Sequence, residues 1–130
     1  MVKDRDVEKL LKERQDDRIG LLKESITDIQ QMIIGREELH NEMLKSLDEI
    51  DMFINNSMPK SGGAAMDANT RQDLMKELLK KKIEIEELKV EEKLNFWRDR
   101  AMLKKELREY MKEIGDMQSK TTMMDTILDV

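Results

Sequence analysis

Arg36 and His40 carry the first groups that could do chemistry, a guanidinium and the only imidazole in the chain, four residues apart. A histidine acts as base, nucleophile partner or metal ligand only when a second group orients it or shares its ligand. The chain has no cysteine and no second histidine, and no glycine-rich loop adjoins His40. No catalytic residue, metal ligand or cofactor is therefore expected. Lys80, Lys81 and Lys82, and further on Arg98, Arg100, Lys104, Lys105 and Arg108, have the charge to hold phosphate. Glu84, Glu86, Glu87, Asp99, Glu106 and Glu109 interleave with them, which is the pattern of a solvated helix face laced with ion pairs. Twelve methionines supply flexible thioethers suited to adaptable grooves, although several stand at positions where ordinary packing explains them. Trp97 is the most discriminating side chain. Buried between helices it anchors a bundle, the expected case; left exposed it joins Met124 and Leu128 as a partner-docking candidate. The terminal Leu128-Asp129-Val130 resembles a carboxy-terminal ligand for a PDZ domain.

Composition restricts the elements that could position these groups. Of 130 residues, 41% are charged and 3% aromatic, with one proline, five glycines and a formal net charge of −5. Hydrophobic residues are still 38%, mostly Leu, Ile and Met, too many for a chain kept unfolded by its polarity. Such a mixture builds long helices and coiled coils, not a globular core packed from many directions. No apolar run reaches the roughly 18 residues of a membrane span, and Lys3, Asp4, Arg5 and Asp6 do not open a signal peptide. The acidic balance disfavours nucleic acid as a direct ligand. Lack of cysteine is consistent with a reducing, intracellular setting, cytoplasm or nucleus.

One cluster of turn formers, Asn55, Asn56, Ser57, Pro59, Ser61, Gly62, Gly63 and Asp67, breaks the helical pattern. It divides the chain into a first long helix over 1–54, a loop over 55–69, a second long helix over 70–118, and a helical extension or tail over 119–130. Gly115, Ser119, Thr121 and Thr122 mark the weak point before that extension. Thr70 and Asp73 are the expected cap of the second helix.

The first helix carries a heptad. Ile19, Ile26, Ile33, Leu47 and Ile54 recur at one core position, and Leu22, Ile29, Met43 and Ile50 at the other. The interval from Leu11 to Ile19 departs from it, as a stutter does. In the second helix Leu74, Leu78, Ile85 and Leu88 form one stretch, and Leu103, Leu107, Tyr110, Ile114, Met117, Met124 and Leu128 another. Leu79, Ile83, Val90, Leu94 and Trp97 occupy a second side of the same helix. An element apolar on two sides needs more than one neighbour.

The expected fold is all-α. Two long helices fold back as an antiparallel hairpin and assemble as a dimer into a four-helix arrangement. Symmetry about the loop places Ile50 opposite Leu74, Leu47 opposite Leu78 and Leu22 near Leu103. Arg36 and His40 interrupt the apolar stripe. In this register they form a polar layer with Glu87 or Glu91 and with Glu84; alternatively they snorkel to water where the helices splay beside Gly35. Ser61-Gly62-Gly63-Ala64-Ala65 has the look of a joining segment, and Met66 that of a protein start. The chain can thus be read as one natural hairpin or as two helices that normally pair as a heterodimer. The functional expectation is a non-enzymatic oligomerisation module that pairs with itself and holds at least one other protein. The alternative is the dimerisation region of a transcriptional or chromatin regulator.

Overall fold

A computed structural model describes residues 4–59 and 67–128. The described residues form two helices, α1 (Asp4–Ser57) and α2 (Ala68–Leu128), and no strand. Leu, Glu, Lys, Met and Arg, all good helix formers, dominate both. Asp4 and Asp6 set negative charge in the first turn of α1, where unpaired N–H groups favour it. At the other end of α1, Ser57 donates its hydroxyl to the Phe53 carbonyl. Met58 donates its N–H to the Asn55 carbonyl in a closing turn before Pro59. The cap of α2 is Asp67 and not Thr70 with Asp73. The Thr70 N–H donates to Asp67 Oδ1 at 2.7 Å, and the Arg71 N–H to the Asp67 carbonyl at 3.1 Å. A carboxylate placed three residues earlier reaches the free N–H groups of the opening turn, which Asp73 inside the helix does not. Thr70 holds the Asp67 carboxyl below its ordinary range, through its side chain first and its backbone second. At the far end, α2 runs through Gly115 and Ser119 to Leu128. Thr122 and Thr126 donate to the carbonyls one turn back, so their hydroxyls are satisfied without leaving the helix.

The chain divides into two compact units, Met1–Gly35 with Arg100–Val130, and Arg36–Asp99. In the first, Leu22 and Ile29 are buried, and Ile19, Ile26 and Ile33 half-buried. Leu103, Leu107, Tyr110, Ile114 and Met117 are half-buried on α2, and Arg18 pairs with Glu113 across the helices at 3.0 Å. Val7, Leu10 and Leu11 are exposed. In the second unit, Ile54 and Ile85 are the buried aliphatics among the described residues, with Leu44, Leu47, Leu74 and Leu78 half-buried. Its cross-helix contacts run in opposite order along the two helices: Arg36 to Asp99, His40 to Glu92, Asp48 to Lys89, Asn55 to Lys82. The pairing is antiparallel.

Gly20 and Gly35 lie inside α1, and an added methyl would meet nothing within 4 Å at either. Helical glycine costs about 1 kcal/mol relative to alanine, largely through freedom lost on folding. Gly20→Ala and Gly35→Ala are each expected to stabilise the helix by about 0.5–1 kcal/mol, read as a rise in the denaturation midpoint.

Candidate interaction surface and polar seam

Two features of the Arg36–Asp99 unit are functional candidates: a charged cluster inside the seam, and an apolar stripe outside it. The cluster is built from both helices. Arg36 Nη2 donates to Glu92 Oε1 at 2.7 Å, and Arg36 Nε donates to Asp99 Oδ2 at 2.9 Å. His40 Nδ1 lies 3.3 Å from the same Glu92 oxygen, and with the proton on Nδ1 the imidazole donates to it. The His40 ring stacks on Phe96, centroids 4.0 Å apart and 10° from parallel. The Arg36 guanidinium carbon lies 5.5 Å from the centre of the same Phe96 ring. Arg36 Nη1 is buried without a hydrogen-bond acceptor, and the cation–π contact offsets part of that loss. Side-chain exposure is 15% for Arg36, 13% for His40 and 6% for Glu92, so the layer sits in the seam and does not snorkel.

Desolvation is the largest single influence on Glu92 and pushes its carboxyl up. The hydrogen bonds from Arg36 and His40, together with their charge, outweigh it and hold the carboxyl below its ordinary value. The same pairing, to Asp99 first and Glu92 second, holds Arg36 further into its protonated range. Nearer the loop, Lys89 Nζ lies 2.7 Å from Asp48 Oδ1 and 3.6 Å from Glu86 Oε1, which raises the lysine, mainly through Asp48.

These partners correct the loop-symmetric register. Arg36 meets Glu92 and Asp99 in place of Glu87 or Glu91, and His40 meets Glu92 in place of Glu84. The helices are offset by about one heptad, a slip that leaves apolar residues facing apolar ones because the stripe repeats every seven residues. The charges distinguish two registers that the stripe does not. Beyond His40 the seam of α1 also steps from Met43 to Leu44 and from Ile50 to Asp51, an inserted step of four residues. Met43 and Ile50 consequently stand exposed outside the chain's own seam, and so does Leu88 on α2, where Lys89 takes the seam position. Glu92 and Asp99 did not figure as seam candidates because the apolar pattern passes over polar positions, and Phe96 because the apolar series took its neighbour Trp97. Alternating steps of four and three from Ile85 through Lys89, irrespective of polarity, lead to all three.

Phe96 takes the seam position beside Trp97, so the expected burial of Trp97 is overturned: neighbours on a helix lie about 100° apart, and one of two can face inward. Trp97 is exposed along with Leu79, Ile83, Val90 and Leu94, all five between 45% and 64%. They form an open stripe on α2 bordered by Lys82, Glu86, Glu87 and Glu91. A second groove lies between the helices of this unit, lined by Leu39, Met43, Leu47, Leu88 and Asn95.

Met123 is exposed at the far end of α2. The side chains of Met124 and Leu128, the Asp129-Val130 terminus and the Ser61–Ala65 segment lie outside the described residues. Among the described residues no cluster of three or more histidine or acidic side chains is placed to hold a metal ion, and no helix is long and apolar enough to cross a membrane. Comparison of the chain with protein-family models, with curated proteins and with solved structures found no match.

Proposed function

We propose that this chain is a non-enzymatic coiled-coil oligomerisation and protein-interaction module, a scaffold or adaptor subunit that works inside the cell, in cytoplasm or nucleus. On this reading two hairpins associate through surplus apolar surface into a four-helix arrangement, and further partner proteins dock on what remains uncovered. The supporting observation is the stripe Leu79, Ile83, Val90, Leu94 and Trp97, exposed on a helix whose opposite side already packs in the hairpin. Five large apolar side chains along about five turns of one helix form a contiguous patch of the kind that marks protein contact. Burying a Val, Leu or Ile side chain contributes roughly 1.5–3 kcal/mol, so mutual coverage of two stripes has the driving force for association.

Light scattering behind size exclusion tests the proposal. The parent chain is expected at twice its 15.4 kDa mass at micromolar concentration. Ile83→Asp with Val90→Asp is expected at the single-chain mass with its helical signal retained, because both positions lie outside the intrachain seam. A parent of single-chain mass across that range overturns the self-association.

A further inference from the structure

Four of the five exposed stripe residues of α2 are spaced symmetrically. From Leu79 to Ile83 is four residues, from Ile83 to Val90 seven, and from Val90 to Leu94 four again. Read from either end, the order of intervals is the same, and its midpoint falls between Glu86 and Glu87. In an antiparallel two-fold pairing each residue lies level with its mirror-numbered counterpart on the other copy, so this spacing sets apolar residues against apolar ones. We propose that the stripe binds a second copy of this chain, α2 against α2 in antiparallel orientation, with the two-fold axis between Glu86 and Glu87. This inference rests on the self-association proposed above and adds its orientation and register.

In that register Leu79 lies level with Leu94 of the second copy, and Ile83 with Val90. One pair of opposite charges adjoins the stripe. Lys80 and Glu91 are eleven residues apart, about three turns, and so lie on one flank of the stripe. The two-fold axis, perpendicular to both helices, keeps that flank on the same side in both copies. Lys80 then comes within about 3 Å along the axis of Glu91 from the other chain, twice over. Lys76 reaches the level of Trp97, placing an ammonium beside an exposed indole. At the centre the arrangement sets Glu86 and Glu87 each against its own counterpart, and Glu84 lies as near Glu91 of the other chain along the axis as Lys80 does, so like charges meet across the middle of the patch. A parallel pairing inverts this: Glu87 would lie beside Lys82 of the other copy, the usual cross-strand contact of a parallel coiled coil.

The absence of native cysteine permits a direct test on the full-length chain with single-cysteine variants held in a glutathione redox buffer. Glu86→Cys, next to the axis, is expected to form a disulfide-linked dimer. Leu79→Cys alone is not, since its own counterpart lies about 22 Å away. Mixing Leu79→Cys with Leu94→Cys is expected to yield the crosslinked heterodimer. Glu87→Gln, which removes like charge at the centre, is expected to lower the dissociation constant severalfold. A Leu79→Cys self-crosslink, or weaker association of Glu87→Gln, overturns the antiparallel register while leaving self-association standing. A single-chain mass for the parent chain overturns both.

Discussion

The Ile26→Asp, Ile29→Asp double variant is expected to lose most of its far-ultraviolet helical signal at room temperature and to show no cooperative thermal melt. Ile29 is 4% exposed and Ile26 half-buried, in a seam one residue wide on each helix. Truncating one buried isoleucine to alanine costs about 2–5 kcal/mol. Aspartate adds the desolvation of a carboxylate, and Ile19, Leu22 and Ile33, the seam residues nearest on the same helix, offer it no donor. Two such changes reach the roughly 5–15 kcal/mol that holds an ordinary domain folded. The hairpin has no second layer to absorb the loss, and α1 on its own, without tertiary contacts along an apolar face, is marginal. Leu21→Asp and Ile34→Asp are the matched controls. Both sites are apolar, both are exposed, and neither variant is expected to move the melting temperature by more than a few degrees. A double variant that melts like the parent would show that this stripe does not join the helices.

A second large effect is expected at Glu92. Its carboxylate is the shared acceptor for Arg36 and His40, and Glu92→Ala leaves both in the seam with fewer partners. Arg36 keeps Asp99, and a two-helix seam stays close to water, so the cost is expected near 2 kcal/mol, within the range for hydrogen bonds to charged groups. The pH dependence has a definite sign. The folded-state carboxyl lies below its ordinary value of 4.5, so ionised Glu92 contributes full stability above that value and loses it as pH falls through the folded-state value. The stability gap between the parent and Glu92→Gln is therefore expected to narrow below pH 4.5, measured by denaturant titration across acidic pH. A gap that widens on acidification would mean that Glu92 does not accept from Arg36. Replacing Arg36, His40 and Glu92 together by leucine is expected to preserve or raise stability, since a fully apolar layer removes the desolvation cost. The same change removes the layer that separates one heptad register from the next.

Much of the architecture was legible from residue pattern. The breaker cluster around Pro59 separates two proline-poor stretches, and both are helices. Ile29, Ile54 and Ile85, expected in the apolar stripes, are among the most buried side chains. Local propensity and a periodicity of three and four suffice for this, because each depends on neighbours within a turn or two.

Pattern did not decide which turn of α2 lies against which turn of α1. A heptad stripe matches itself after every seven residues, so the alignment rests on contacts between residues far apart in sequence: Arg36 with Asp99 and Glu92, Lys89 with Asp48, Lys82 with Asn55. The same holds for Phe96 and Trp97. Adjacent aromatics of equal promise point about 100° apart, and the position of His40 on the opposing helix determines which ring is covered and which is left on the surface. Periodicity along one strand of helix carries no information about its rotation or offset relative to another; directional charge and ring contacts across the seam supply it.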